Sequence, residues 1–430
     1  MATTQMTFLD GNFGPVTEEI TAYDLTVTGT IPPELEGRLL RIGPNPKAPP
    51  DPATYHWFIG DGMTHGVRLR DGRAEWYRNR WVGGDDVVNT HVIGLAGRTF
   101  ALVEAGSKPV ELTDELETVG SCTFDGTLDG AFSAHTHQDP VTGDLHAVTY
   151  NWAWDHLRHV VVGPDARVRR ELHVPVDGGP MVHDCAITES YVVLFDLPVT
   201  FNLEAAAEGV RFPYRWNPDH PARVGLLPLD GVADDVRWFD APTCYVFHTL
   251  NAYDEGGTVV IDLVRHPRMF DTVVNGPDEG DPVLERWTLD LAAGTIGTAI
   301  IDDRPQEFPR IDERLTGRRH RYGYGVAVDR GFRIGGALKH DLAAGTTVRH
   351  DYGPGRATLE PVFVPRAGTA PGGPDAEDDG WVMSYVYDAT TDRSDVVILA
   401  AQDFGGDPVA TIHLPVRVPF GFHGSWVPGG

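Results

Sequence analysis

Eighteen histidines are spread along this 430-residue chain, and four of them stand apart by their neighbours. His135 lies in FSAHTHQDP, His183 in PMVHDCAI, His248 in CYVFHTLNAYDE and His423 in FGFHGSW, whereas most of the others sit in surface-like settings such as RHPR, KHD and RHD. Successive members of the four are 48, 65 and 175 residues apart. Neither a helical HExxH pair nor a finger-type spacing fits, so a metal bound by these residues would be gathered by the fold rather than by a local motif. Imidazole suits iron, zinc and copper alike, so the residue type does not name the ion. Each histidine, taken singly, reads first as a hydrogen-bonded core residue, and spacing does not overturn that. His423 is the odd one. Chain ends usually fray and tolerate change, yet PFGFHGSWVPGG sets a histidine among Phe420, Phe422 and Trp426, as if that segment entered an interior.

The elements that must position such residues are strands. DLTVTGTI, HGVRLRDGRAEWYRNRWV, HVIGLAGRTFALVEA, DLHAVTYNW, SYVVLFDL, GTVVIDLVRH, GWVMSYVYD and DVVILAAQ are short and rich in β-branched or aromatic residues, and Gly, Asp, Asn or Pro close them. RLRDGRAEW carries the Asp-Gly signal of a tight hairpin. Long amphipathic helices are missing, and the best short candidates lie near NLEAAAEGV and RIDERLTG. RYGYGVAV lacks the third glycine and the βαβ setting of a dinucleotide motif, so it reads as a strand. The pattern is that of a large all-β protein, a propeller or sandwich. Seven blades would take about 61 residues each, above the common propeller repeat, with room for long loops on one face. The acidic, Pro/Gly-rich stretch Ala367–Gly380 reads as a surface loop between two strands rather than a domain linker, so one domain over residues 1–430 is expected.

Composition narrows the function. Hydrophobic residues make 41% of the chain, enough for a large core, and the formal net charge is −27. That charge repels nucleic acid and anionic lipid surfaces, so no nucleic-acid partner is expected. Cys122, Cys185 and Cys244 form an odd set with no CxxC spacing, and a reduced, cytoplasmic protein is the simple reading. MATTQMTFLDGNFGPV has neither a basic nor an apolar region of the secretory type. There is no GxSxG elbow and no P-loop. A metal-free propeller that binds glycans or peptides, and a propeller hydrolase with paired carboxylates, remain as rival classes; none of the 62 Asp and Glu is singled out as a pair by spacing.

Motifs in order along almost the whole chain resolve the ambiguity. GRLLRIGPNP, YHWFIGDGMTHGVRLRDG, WYRNRWV, NTHVIGLAGRTFALVEAGSKPVEL, SAHTHQDPVTGDL, MVHDCAIT, FHTLNAYDE, EFPRIDER, LEPVFVPR and VPFGFHGSWVP together resemble the carotenoid cleavage oxygenase family, relatives of which cleave lignostilbenes. The resemblance implies a seven-bladed β-propeller with loops and short helices capping one face, and a non-haem Fe(II) on its axis. By motif the iron ligands fall on His135, His183, His248 and His423, with His137 a competing first ligand that the AH-x-x-x-DP pattern disfavours. Family glutamates that orient the ligands match Glu104, Glu307 and Glu360, each set among apolar residues where an unpaired carboxylate is costly. Thr90 matches a position that narrows one open site beside the iron. In the sharpened form of the opening puzzle, Gly421 and Gly424 supply tight turns that bring His423 to the axis, with Phe422 and Trp426 sealing it.

The implied reaction is O₂-dependent scission of a conjugated C=C bond into two carbonyl products, with the protein positioning the polyene and excluding water. Aromatic walls would stabilise cationic character in the polyene; Phe58, Phe132, Trp152, Phe247, Tyr322, Phe420 and Trp426 are candidates, with half or more of them expected in the propeller core. Family members that cleave phenolic stilbenes or phenylpropenes carry Lys just before the first oriented glutamate. Here that residue is Val103, which cannot bind a phenolate, and this favours a small apolar polyene, a carotenoid or apocarotenoid, over the stilbene alternative. Lys108 would substitute only if its loop turned inward. Such a substrate also implies peripheral contact with a membrane for uptake. The short segment Gly83–Val88 helps form the entrance in relatives, and Cys185 replaces a commoner Phe after the HD pair and is expected to pack as a small hydrophobe.

Overall fold

The computed structural model describes residues 8–429 other than 85, 330 and 371–375. Seven antiparallel sheets follow one another along the chain as the blades of a β-propeller. Blade I pairs Thr21–Tyr23, Arg73–Trp81, Gly62–Arg70, Gly37–Pro44 and, as its innermost strand, Gly424–Pro428 from the other end of the chain. Blades II to VI each run from the axis outward in chain order. Their innermost strands are His91–Leu95, Thr136–Gln138, Ala186–Ile187, Tyr245–Glu255 and Gln306–Arg310. Blade VII begins with Arg356–Thr358 and Val362–Pro365, which share Gly380–Asp388 as partner, and takes its outermost strand, Val27–Gly29, from the start of the chain. Two blades are therefore stitched from both ends of the sequence.

Second strands such as Leu145–Thr149, and Gly380–Asp388 in blade VII, are buried along their whole length. They are packed on both faces by neighbouring blades, which is why they read as continuous apolar runs rather than as alternating ones. Outer strands such as Thr295–Asp302 and Val168–Pro175 are mostly exposed. Each fully buried Val, Leu, Ile or Phe contributes about 1.5–3 kcal/mol relative to exposure, so the blade interfaces are the main source of stability.

The one α-helix among the described residues, Leu203–Ala207, lies where NLEAAAEGV predicts it, and Asn202 caps it by accepting from Ala205 N. The second helical candidate forms only the 3₁₀ turn Glu313–Leu315. The helix belongs to an excursion between the second and third strands of blade IV, together with the hairpin Val199–Phe201/Tyr214–Trp216. RYGYGVAV lies in the strand Tyr322–Asp329. The segment Ala367–Gly380 does connect two strands, but residues 371–375 lie outside the described residues.

A candidate metal centre on the propeller axis

Each of the four singled-out histidines lies at or beside an innermost strand. His135 immediately precedes that of blade III, His183 lies three residues before that of blade IV, His248 is within that of blade V, and His423 immediately precedes that of blade I. Their ring centroids are 4.2 Å (His135–His183), 4.7 Å (His135–His423), 4.8 Å (His248–His423) and 5.1 Å (His183–His248) apart. One nitrogen from each falls within 4.8 Å of all the others, and all four residues are buried. His137 is not in this group. Its Nε2 donates to Asp184 Oδ1 at 2.8 Å, so of the two histidines of the SAHTHQDP motif only His135 lies in the four-histidine cluster.

The local backbone explains how these side chains turn inward. Pairing in blade V shifts register on both sides of Thr249, next to His248. Pairing in blade VI shifts between Glu307 and Arg310, where Phe308 takes φ +54°. Bulges re-aim side chains, and a positive φ at an aromatic residue is a strained conformation that its surroundings must hold. Here the Phe308 N–H donates to Glu307 Oε2 at 2.5 Å, and the Phe308 ring lies 5.6 Å from the rings of both His248 and His423. His423 is held differently. Its N–H donates to Thr90 O at 3.0 Å and its carbonyl accepts from Ile42 N at 3.1 Å. Gly421 and Gly43 are in backbone contact, and a Cβ on Gly421 would fall 2.6 Å from Gly43 Cα; one on Gly424 would fall 2.2 Å from Leu40 O. The glycines flanking His423 thus serve close approach of two chain segments, not the tight turns expected from sequence.

Three carboxylates back the tetrad. Nδ1–H of His248 donates to Glu307 Oε2 at 2.6 Å, and Nδ1–H of His423 donates to Glu360 Oε1 at 2.8 Å. Glu104 Oε1 lies 2.8 Å from His183 Nδ1, close enough for an ion pair but out of line for a hydrogen bond. A carboxylate only accepts, so the proton of each bonded ring sits on Nδ1 and Nε2 presents its lone pair to the centre. Nε2 of His135 and of His248 is buried with no hydrogen-bond partner. Leaving such atoms unpaired costs about 1–3 kcal/mol each, and a cation among them removes that cost.

The outer partners of the carboxylates differ. Glu307 also accepts from His266 Nε2 at 2.7 Å, Glu360 accepts from Gly424 N at 2.9 Å and pairs with Arg310 at 2.9 Å, and Glu104 accepts from Tyr150 Oη at 3.2 Å. Burial would raise Glu307 and Glu360, but His248 and His266 in the first case, and Arg310 and His423 in the second, hold both carboxyls well below the usual carboxylate range. Burial, then the neighbouring histidines, keeps His135 well below its ordinary value, and burial takes His423 down to about 3 against the pull of Glu360. His248 is shifted up: burial lowers it, but Glu307 outweighs burial, and the field that favours a proton at Nε2 equally favours a metal there. Of the three carboxylates only Glu360 is paired with a guanidinium, Arg310, so Glu104 and Glu307 set uncompensated negative charge beside the rings; Glu313, the other partner of Arg310, is largely exposed. The donor set, the orphaned nitrogens and this imbalance together fit a divalent cation.

His183, His248 and His423 open onto a cavity of about 470 Å³ walled by Phe58, Phe201, Phe212, Phe247, Phe308 and Phe422, with Trp57, Trp152, Tyr150 and Tyr214. Thr90 and Val103 lie in its wall, and Thr90 Oγ1 donates to Asn89 Oδ1 at 3.0 Å. Lys108 is not among its lining residues, and Val87, from the Gly83–Val88 segment, is. The blade IV excursion supplies the outer wall from Phe201 and from Val210 to Tyr214. Phe58, Trp152 and Phe247 thus lie where substrate-facing aromatics were expected. Phe132 is instead in the core between blades II and III, Phe420 packs on Phe13 and Tyr387, Tyr322 lies under Lys339, and Trp426 faces a second, more polar chamber across the tetrad. Cys185 is buried in the blade IV core.

A family model described as retinal pigment epithelial membrane protein matches residues 13–87 and 82–428. The chain is 43% identical to a carotenoid cleavage oxygenase of Mycobacterium tuberculosis, covering 99% of this chain and 98% of that one. It is 31% identical to an isoeugenol monooxygenase of Pseudomonas nitroreducens, covering 98% of each. The crystal structure of a lignostilbene dioxygenase of Pseudomonas brassicacearum superposes with a TM-score of 0.89 at 29% identity, covering all of both chains.

Proposed function

Given that the chain belongs to the carotenoid oxygenase family, we propose that it is a non-haem Fe(II) dioxygenase that cleaves a conjugated C=C bond of a carotenoid or apocarotenoid with O₂ to give two carbonyl products. The observation that carries this reading is the buried four-histidine cluster opening on an aromatic cavity whose wall has Val103 beside Glu104 and no lysine. On this reading His135, His183, His248 and His423 hold the metal, Glu307 and Glu360 fix the rings of His248 and His423 by hydrogen bonds, and Glu104 faces that of His183. When bound, the iron supplies the activation of dioxygen.

The chain's own residues do the rest. Phe58, Phe247, Phe308 and Phe422 present ring faces and edges to a polyene, excluding water and favouring cationic character along it. Thr90 narrows the approach on the side of His423, to whose backbone it is bonded. Beyond the tetrad and its carboxylates the cavity wall is largely uncharged, with Arg211 on the exposed blade IV excursion, so an uncharged polyene displaces little water from ions.

The isoeugenol and lignostilbene relatives favour a second reading, cleavage of a phenylpropene or phenolic stilbene. Val103 argues against it, since the position before Glu104 offers a phenolate no ammonium, and the one guanidinium in the wall, Arg211, lies on the exposed blade IV excursion. Incubating the Fe(II)-loaded protein with an apocarotenal, a hydroxystilbene and a vinylphenol, and identifying the aldehydes, tests both. Turnover of the apocarotenal is expected; exclusive turnover of the stilbene or the vinylphenol overturns the substrate assignment. His423→Ala is expected to abolish iron binding, and retention of both iron and activity would overturn the ligand set.

A further inference from the structure

Three of the four tetrad histidines have a carboxylate at Nδ1, but His135 has none within ion-pair distance among the described residues. A fifth histidine stands where that support is missing. His91 opens the innermost strand of blade II, and its ring centroid is 5.4 Å from that of His423. Its Nδ1 is 3.0 Å from the carbonyl oxygen of Ala134, the residue before His135, and its Nε2 is 3.3 Å from Ser425 Oγ, two residues after His423. A carbonyl oxygen only accepts, so Nδ1 carries the hydrogen and Nε2 of the neutral ring accepts from the serine hydroxyl. Both ring nitrogens are committed away from the centre.

We propose that His91 is a positioning residue that fixes His135 through the Ala134 carbonyl and ties it to the strand carrying His423, in place of the carboxylate that the other ligands have. His91 spans blades I, II and III at the side of the tetrad that Glu104, Glu307 and Glu360 leave unsupported. The segment is anchored at Phe132, whose N–H donates to Ser107 O and whose carbonyl accepts from Thr149 Oγ1, and at Thr136, which pairs with Ala147; between them Ser133 Oγ makes only long contacts, 3.3 Å to His135 N and 3.4 Å to His135 O. A histidine there does for a backbone what the glutamates do for a ring, and the bond it makes to Ala134 is one that any N–H donor at the Nδ1 position reproduces.

The inference rests on the tetrad being a metal site, and two amide variants separate the bonds. His91→Asn keeps a donor near Nδ1 and loses the link to Ser425; His91→Gln reaches Ser425 and loses the donor to Ala134; His91→Leu loses both. Apo-protein of each is titrated with Co(II) and with Fe(II), following the cobalt visible bands and competition with a chelator, with circular dichroism as the fold control. His91→Asn is expected to keep metal affinity within about threefold and a native cobalt spectrum. His91→Gln and His91→Leu are expected to lose about 10–100-fold, the range seen when outer-shell partners of a ligand are removed, with altered bands. Equal affinity and spectra for Asn and Gln overturn the proposal, as does native behaviour of His91→Leu. If the unmodified protein binds neither ion, the metal reading of the tetrad fails first, and that outcome is separate from any effect of the variants.

Discussion

Glu307 is the one carboxylate at the tetrad that accepts from two histidine rings. It accepts from His248, from His266 and from the strained Phe308 N–H, so both of its oxygens are engaged. Replacing it by Gln presents an amide N–H₂ to at least one ring N–H and leaves a buried donor without a partner. Metal affinity is therefore expected to fall most for Glu307→Gln. Glu360→Gln, which keeps the Arg310 side of its site occupied, should weaken affinity and activity by about 10–100-fold, and Glu104→Gln least, because its contact to His183 is out of hydrogen-bond line. Chelator competition on the three variants checks the order; an equal loss in all three would mean that the carboxylates act through net charge alone. The charge count makes the same point from the other side. Neutralising any one of these glutamates removes negative charge from beside the rings and makes the site a poorer match to a divalent ion.

At the scale of the element, the segment around His423 depends on backbone contact between two strands of blade I and the loop before them. Gly421→Ala places a Cβ 2.6 Å from Gly43 Cα, where no side chain can swing away. Overpacking of this kind costs about 1–3 kcal/mol, and relief by sliding the segment would carry His423 off the axis. Gly421→Ala is expected to lose both denaturant midpoint and metal affinity, whereas Gly297→Ala, on an outer strand with only Thr288 O at 4.0 Å, should lose neither. The strands, the missing long helices and the short Leu203–Ala207 helix were legible from β-branched runs and turn residues. The tetrad was legible only through ordered motifs, because its members come from four blades and no local period links them. His91 and Phe308 were not legible at all: one acts through a backbone carbonyl, and the other through a positive φ at a bulge, and neither leaves a mark on composition. Phe132, Tyr322 and Phe420 show the converse limit. An aromatic near a ligand in sequence reaches the cavity only if its strand end points to that face of the propeller.

On the scale of the whole molecule, burial of neutral histidine is a recurring device away from the axis. His56 and His159 are lowered to about 3, and His146, His320 and His340 to about 4, chiefly by burial. A base with a depressed folded-state pKa binds its proton more readily when unfolded. Stability is therefore fully present above about pH 6.5 and is lost as pH falls from there toward pH 3–4, by up to about 1.4 kcal/mol per pH unit for each such residue. Glu307 and Glu360 add a loss of the same sign at lower pH. Urea midpoints of the metal-free protein at pH 7.5, 6 and 5 should fall steadily, and a flat response over that range would show that these histidines are not neutral and buried in solution. Blade I has a consequence of a different kind. Its innermost strand, Gly424–Pro428, joins partners encoded near the start of the chain, and the residue just before it is His423. During translation the other six blades leave the ribosome before that strand does, so a nascent chain carries three imidazoles on an unclosed ring and has no fourth. On the proposed metal reading, the complete four-histidine set exists only once synthesis has passed His423, and a product terminated before it is expected to bind metal more weakly than the full chain.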